Sequence, residues 1–187
     1  MRKLVVSAWV TMDGIFDADS MDKWYAPYDS KERQEYIKEG ILAADALLLG
    51  RVTYEMLAPY WSSLKKNEMG VADKLNSVSK FVVSSKLKKA EWNNSTIIKE
   101  KVVEEITRLK QQPGKEIQIE GSATLVKSLM EADLIDEYRF LVHPIIIGTG
   151  KRFFKDKMHT SGLKLVKTKT LDKGVILNCY ERLAPAA

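Results

Sequence analysis

The chain has 187 residues, 45% of them hydrophobic and 29% charged, enough for one domain with a sizeable core or two small ones. Its 30 basic and 25 acidic side chains leave a net charge of +5, but they are interleaved, as in VVEEITRLKQQPGKE. The densest basic runs, Lys65-Lys66 and Lys86 to Lys89, are too short for a nucleic-acid-binding arm. No apolar run approaches the ~20 residues that span a bilayer, and a single cysteine, Cys179, excludes an internal disulfide and fits a reducing, cytoplasmic setting.

Residues 2 to 10 (RKLVVSAWV) are apolar on both parities and read as a buried central strand rather than a leader. The next nineteen, TMDGIFDADSMDKWYAPYD, carry Gly, Pro and clustered Asp and read as a long loop of the kind that carries function. SKERQEYIKEGILAADA has helical spacing at Tyr36, Ile37, Ile41 and Leu42, with Ser30 as N-cap and Arg33 where a capping box would place Glu. ALLLG (46 to 50) is a second buried strand, and RVTYEMLAPYW a short helix expected to end near Pro59. NEMGVADKLNSV is weakly helical, SKFVVSS a third strand and STIIK a short fourth.

VVEEITRLKQQ is an amphipathic helix closed by Pro113-Gly114, and IQIEGSATLVKSLMEADLIDE passes from strand to helix across Gly121-Ser122. DEYRFLVHPIII is a long strand, GTGKRFF a turn and its exit, and LKLVKTKTL and VILNCYERL an antiparallel pair about Asp172-Lys173-Gly174. The tail APAA reads as frayed. With no repeat or linker to divide it, residues 1–187 read as one α/β domain. Its sheet is mixed and mostly parallel, with helices on both faces and an antiparallel C-terminal edge.

Ligands of such sheets bind beyond the carboxyl ends of parallel strands, and three of those ends share a chemistry. Gly50-Arg51-Val52-Thr53 offers close backbone approach, a permanent cation, a hydroxyl and a helix N-terminus, which together can hold a pyrophosphate. Ser84-Ser85-Lys86 offers two hydroxyls and an ammonium, suited to a phosphate monoester. Gly121-Ser122-Ala123-Thr124 sets small residues before another helix N-terminus. Each can also be an ordinary helix start or wet turn. None is a GxGxxG fingerprint, and Gly148-Thr149-Gly150-Lys151 fails as a P-loop, with Ile145 in place of the earlier Gly and Arg152 in place of Ser or Thr.

Taken in order, LLLGRVTYEML, KFVVSS, IQIEGSATLVKSLM, DEYRFLVHPII and NCYER resemble the dihydrofolate reductase fold over nearly the whole chain. VTMDGIFDA and HPIIIGTGKRFF resemble more closely the reductase domain of riboflavin biosynthesis and its stand-alone relatives. The resemblance implies a three-layer dihydrofolate reductase-like fold, NADPH as cofactor and a homodimer. Gly50, Arg51 and Thr53 would line the phosphates, Ser84, Ser85 and Lys86 the 2′-phosphate, and Gly121, Ser122, Ala123, Thr124 and Leu125 the pyrophosphate and nicotinamide ribose. Ser122 stands where dihydrofolate reductases have a second Gly, Pro27-Tyr28-Asp29 echoes their substrate acid out of register, and YEMLAPYW does not reproduce the substrate motifs of the riboflavin-type enzymes.

The implied reaction is hydride transfer from NADPH to a C=N or C=O of a flat pterin- or pyrimidine-like heterocycle. A carboxylate can hold such a ring's N–C–N edge; Asp13 is the first candidate, with Asp29 as a second and Asp17 beside them in the same loop. Trp24 and Tyr25 are candidates to stack on the ring. His143 reads as a satisfied strand residue, His159 as solvated and Cys179 as a buried thiol, so no metal site or nucleophilic triad is expected. Aromatics in APYW and KRFF are candidates for a dimer contact. Two other classes remain: a non-catalytic NADP-binding domain, which binds NADPH without turnover, and a basic nucleic-acid-binding domain, which binds any duplex in a salt-sensitive way.

Overall fold

The computed structural model describes residues 1–154 and 160–183; His159 and the APAA tail fall outside them. Eight strands form one sheet: β1 (Lys3–Thr11), β2 (Ala44–Gly50), β3 (Ser79–Val83), β4 (Ser95–Ile98), β5 (Glu116–Gly121), β6 (Glu137–His143), β7 (Leu163–Thr170) and β8 (Ile176–Arg182). Their spatial order is β4-β3-β2-β5-β1-β6-β8-β7. All neighbouring pairs are parallel except β6–β8 and β8–β7, so the antiparallel edge lies at the C-terminus.

The helices are α1 (Met21–Trp24), α2 (Lys31–Ala43), α3 (Arg51–Ser63), α4 (Ala72–Ser77), α5 (Val102–Gln111) and α6 (Ala123–Glu131). Strand alternation sorts the core into layers. Leu4, Val6, Ala8, Leu48, Ile117 and Ile119 pack under α5 and α6 through Ile106, Leu109, Val126 and Leu129. Leu47, Leu49 and Val82 face Tyr54 and Leu75 of α3 and α4 on the opposite side. Leu141, Leu177 and Cys179 meet Tyr36 and Ile37 of α2 on that side as well.

Local chemistry sets most boundaries. The hydroxyl of Ser30 accepts a hydrogen bond from the Arg33 amide at 3.2 Å and starts α2 as its N-cap. β2 begins at Ala44, two residues ahead of the expected start, because Ala44 and Ala46 are already buried under the sheet's neighbours. Pro59 lies inside α3 and does not end it. It and Glu55, whose carbonyl loses its donor, are on the solvent face, where water satisfies the loss. β6 stops at His143 rather than running to 147, since Pro144 has no N–H for the ladder. The early loop is tighter than its composition indicates: residues 18–28 form three short helical turns.

Beneath α2 the sheet is polar. Arg139 on β6 reaches across β1 to grip Glu116 of β5 with two bonds, 2.9 and 3.0 Å, and also bonds Glu137 at 2.7 Å. Because β1 lies between β5 and β6, this ion cluster fixes the register of three central strands whose carboxyl ends carry the site.

Candidate functional site

The three strand ends that the sequence marks separately come together at the carboxyl end of the adjacent interior strands β3, β2 and β5. Leu49 pairs with Gly121, and Gly50 pairs with Val83, which directly precedes Ser84. A Cβ on Gly50 would lie 2.7 Å from the Ser122 hydroxyl and 3.0 Å from its amide nitrogen. One on Gly121, where φ is +128°, would lie 3.0 Å from the Thr53 hydroxyl and 3.4 Å from the Phe16 ring. Only glycine allows α3 and α6 to start this close together. The Gly121–Ser122 peptide is cis.

The helix ends differ. Ser122 caps α6, its hydroxyl accepting from the Leu125 amide at 3.4 Å, while Gly50 gives α3 no side-chain cap. The first-turn amides of α3 therefore keep their demand for an acceptor, beside the positive end of the helix dipole. Arg51 is half exposed at that end and pairs with Glu55 at 2.6 Å. Ala123 and Leu125 are buried under the start of α6, and Thr124 is on its exposed side. Ser84 is buried, its hydroxyl accepting from the amides of Lys86 and Leu87 at 3.1 and 2.9 Å, so it shapes the turn. Ser85 and Lys86 are exposed on that turn. This donor set, in which Arg51 is shared with Glu55, fits an elongated anion such as a dinucleotide pyrophosphate.

Beside it lies an acid that motif reading passes over. The register of β2 against β5 runs Leu48 to Ile119 and then Leu49 to Gly121, leaving Glu120 unpaired on the β2 side. A slip of this kind re-aims a side chain. Glu120 follows Gln118 onto the α2 side of the sheet and accepts a hydrogen bond from the Gln118 amide. Burial pushes its carboxyl up to about 7, against the lowering effect of that bond. In the sequence, the alternation Glu116, Gln118, Glu120 marks one face of this strand as polar but does not single out Glu120.

Aromatic rings gather on the same side of the sheet, around Tyr25. Tyr25 stacks on Trp9 of β1 at 4.7 Å, and the Arg33 guanidinium lies 3.9 Å over the Tyr25 ring. Burial raises the Tyr25 phenol, with the Arg33 charge opposing that rise and the Asp29 and Glu120 charges adding to it. Trp24, expected to stack on a ligand, is only 2% exposed; its indole donates to the Asp17 carbonyl at 3.0 Å and its ring meets His143 edge-on. Tyr25, the other ring expected to stack, is partly exposed.

Arg33 is fully buried and organises this group of rings. It donates to the Tyr25 carbonyl at 2.9 Å and to Asp29 at 2.8 Å, and sits 3.0 Å from Nε2 of His143. Asp29 has its second oxygen on Gln34 at 2.7 Å, so both oxygens serve the start of α2. His143 is neutral: Nδ1–H donates to the Val10 carbonyl at 3.1 Å and Nε2 accepts from Arg33. Burial, helped by the Arg33 charge, lowers its pKa to about 4.

Because the folded value lies below the ordinary 6.5, the unfolded chain binds this proton more tightly. Stability is full above 6.5 and is lost as pH falls toward 4, by about 3 kcal/mol for this group at ~1.4 kcal/mol per unit. Urea melts across that range are expected to show a shallower acid loss for His143→Gln, which can still bond both partners without titrating. Equal pH slopes in the two proteins would refute this assignment.

Asp13 and Asp17 act at a clasp. Asp13 accepts from the Thr11 hydroxyl at 2.6 Å and from the amides of Ile147 and Gly148 at 3.3 and 2.8 Å; the Thr11 bond is the main cause of its lowered pKa. Asp17 pairs with Lys151 at 3.2 Å, and Ile15 bridges to Arg152. The stretches VTMDGIFDA and HPIIIGTGKRFF are thus knitted together beyond β1 and β6. The clasp sets Phe16 against Gly121 and buries Phe153, while Phe154 and Tyr60 are half exposed.

The chain matches the family model described as the RibD C-terminal domain over residues 2–177. It is 28% identical over 185 residues to YyaP of Bacillus subtilis (strain 168), an uncharacterized protein, covering 96% of this chain and 94% of that one. In structure it is similar to a chain assigned to riboflavin biosynthesis in Shewanella sp. PV-4, with a TM-score of 0.75 at 19% identity over 97% of this chain and 99% of the other. It is also similar to Enterococcus faecalis dihydrofolate reductase complexed with NADP(H) and RAB-propyl, with a TM-score of 0.65 at 15% identity and 97% of both chains covered. The dihydrofolate reductase-like fold is therefore shown.

Proposed function

Since the chain belongs to the RibD C-terminal domain family, we propose that it is a reductase that uses NADPH to reduce a small, flat pterin- or pyrimidine-like heterocycle. The observation that carries this reading is the meeting of Gly50, Thr53, Gly121 and Ser122 at the carboxyl ends of β2 and β5, with Glu120 next to Gly121 in the chain. The similarity in fold to a dihydrofolate reductase complexed with NADP(H) supports it.

In this reading the α3 amides, Arg51 and Thr53 hold the pyrophosphate from one side, and Ser122, Ala123, Thr124 and Leu125 from the other. Ser85 and Lys86 meet the 2′-phosphate, on a turn that Ser84 shapes. The bound nicotinamide supplies a hydride. The chain orients the acceptor ring against the Trp9–Tyr25 wall, excludes water with the Phe16 clasp, and carries a proton on Glu120 for the ring nitrogen next to the reduced carbon. A carboxyl that titrates near 7 is protonated often enough at neutral pH to donate, which Asp13 and Asp29, each already holding several donors, are not arranged to do.

Fluorescence titration with NADPH and NADH tests the cofactor site. Arg51→Ala and Ser85→Ala are each expected to weaken NADPH about 10-fold, the loss of one charge-assisted bond to a phosphate. NADH is expected to bind more weakly and to be indifferent to Ser85→Ala. Absence of binding by either nucleotide, or variants equal to the parent, would overturn the reading.

A further inference from the structure

Gln118 is a buried amide that packing alone does not explain. It precedes Glu120 by two residues on β5, shares its face of the sheet and is only 3% exposed. Its Nε2 donates to Oε1 of Glu120. Its own Oε1 is buried without a hydrogen-bond partner, under α2, where a Cβ on Gly40 would lie 3.8 Å away. A buried amide with an unbonded oxygen costs stability that an apolar side chain of the same length would not cost. What the amide provides at this position is the bond to Glu120. The same strand face shows the contrast: Glu116 is gripped by the Arg139 guanidinium, which holds it as an anion, whereas Glu120 is met by a neutral donor.

We propose that Gln118 is the positioning residue of the acid, holding Oε1 of Glu120 so that the transferable proton sits on Oε2. The proposal rests on the reading of Glu120 as the proton donor to the ring. A guanidinium in place of Gln118 would strip that proton; a neutral amide donates to the carboxyl in either protonation state. As the O–H bond on Oε2 breaks and the N–H bond on the ring forms, the carboxylate left behind keeps the Gln118 bond, which is stronger to the anion than to the acid. The ionisable groups of the elements packed on this face have partners of their own. Arg139 binds Glu116 and Glu137, Arg33 binds Asp29, Tyr36 meets Cys179, and burial keeps the Tyr25 phenol neutral.

Carbon-13 NMR titration of the full chain, labelled at the glutamate carboxyls and assigned with Glu120→Gln, tests the contact without a substrate. Glu120 of the parent is expected to titrate near 7. In Gln118→Met it is expected to titrate about 1 pH unit higher, the loss of one hydrogen bond to a charged group, with a melting temperature no lower than the parent's. In NADPH turnover the alkaline limb of kcat is expected to move up with it and kcat to fall about 10-fold, while KM for NADPH stays within about twofold. Gln118→Glu keeps the shape and reads the same contact if Gln118→Met melts early: two carboxyls sharing the site cannot both ionise, so the upper titration again rises above the parent's. A Glu120 titration that neither variant moves would overturn the proposal. A shifted titration in a chain that oxidises NADPH with no ring would uphold the grip of Gln118 on Glu120 and sink the reductase reading.

Discussion

Glu120→Gln is expected to lower kcat for NADPH-dependent reduction about 100-fold or more while leaving NADPH affinity within about twofold. The carboxyl stands at the β5 register slip, and the amide keeps its size while removing the proton. The parent rate is expected to fall as pH rises through about 7, where burial places this group, and the variant is expected to lack that limb. Stability separates chemistry from folding. The folded pKa is raised above the ordinary 4.5, so the contribution of Glu120 is full below that value and is lost as pH rises through 7. The Gln variant escapes that loss and is expected to be no less stable than the parent at pH 7. A variant that melts normally and turns over normally would remove Glu120 from the reaction.

Arg139→Leu carries the largest expected effect on stability, a loss of about 3 kcal/mol, because it strands two largely buried carboxylates that shared one guanidinium. Among the described residues Glu137 keeps Lys3, at 3.4 Å, and Glu116 loses a bidentate partner. The sign with pH follows from Glu137, which in the parent titrates below the ordinary carboxylate value and so contributes stability that disappears on acidification. The deficit of the variant is therefore expected to be widest near neutrality and to narrow as pH falls through 4.5. Chemical denaturation at several pH values reads both features; a uniform deficit of under about 1 kcal/mol would mean that the cluster is ordinary surface pairing.

Much of this was legible in the sequence because it rests on local rules. Gly50 and Gly121 announce close approach, Ser30 announces the start of α2, and Asp172-Lys173-Gly174 announces the hairpin, each through the chemistry of a few adjacent residues. What was not legible depends on pairing between distant segments. The prominence of Glu120 comes from a register slip against β2, which no property of IQIEGS alone encodes. Arg33 looks like a surface residue of an ordinary helix, and only the arrival of His143, Tyr25 and Asp29 around it explains its burial. Lys80 is likewise buried within a strand, its ammonium bonded to the carbonyls of Val78 and Asn93 and lying 4.5 Å over the Trp92 ring. Asp13 drew attention for its place after the central strand, and that place serves to bind a second loop 134 residues away.

The proposed function requires that a hydride from NADPH reach a flat heterocycle beside Glu120. The most direct measurement is the loss of NADPH absorbance against a panel of oxidised pterins and pyrimidines, in the parent and in Glu120→Gln. The account predicts oxidation with at least one of these rings, suppressed in the variant. NADPH that binds tightly and is consumed with none of them would contradict it and make the chain a dinucleotide-binding domain without turnover.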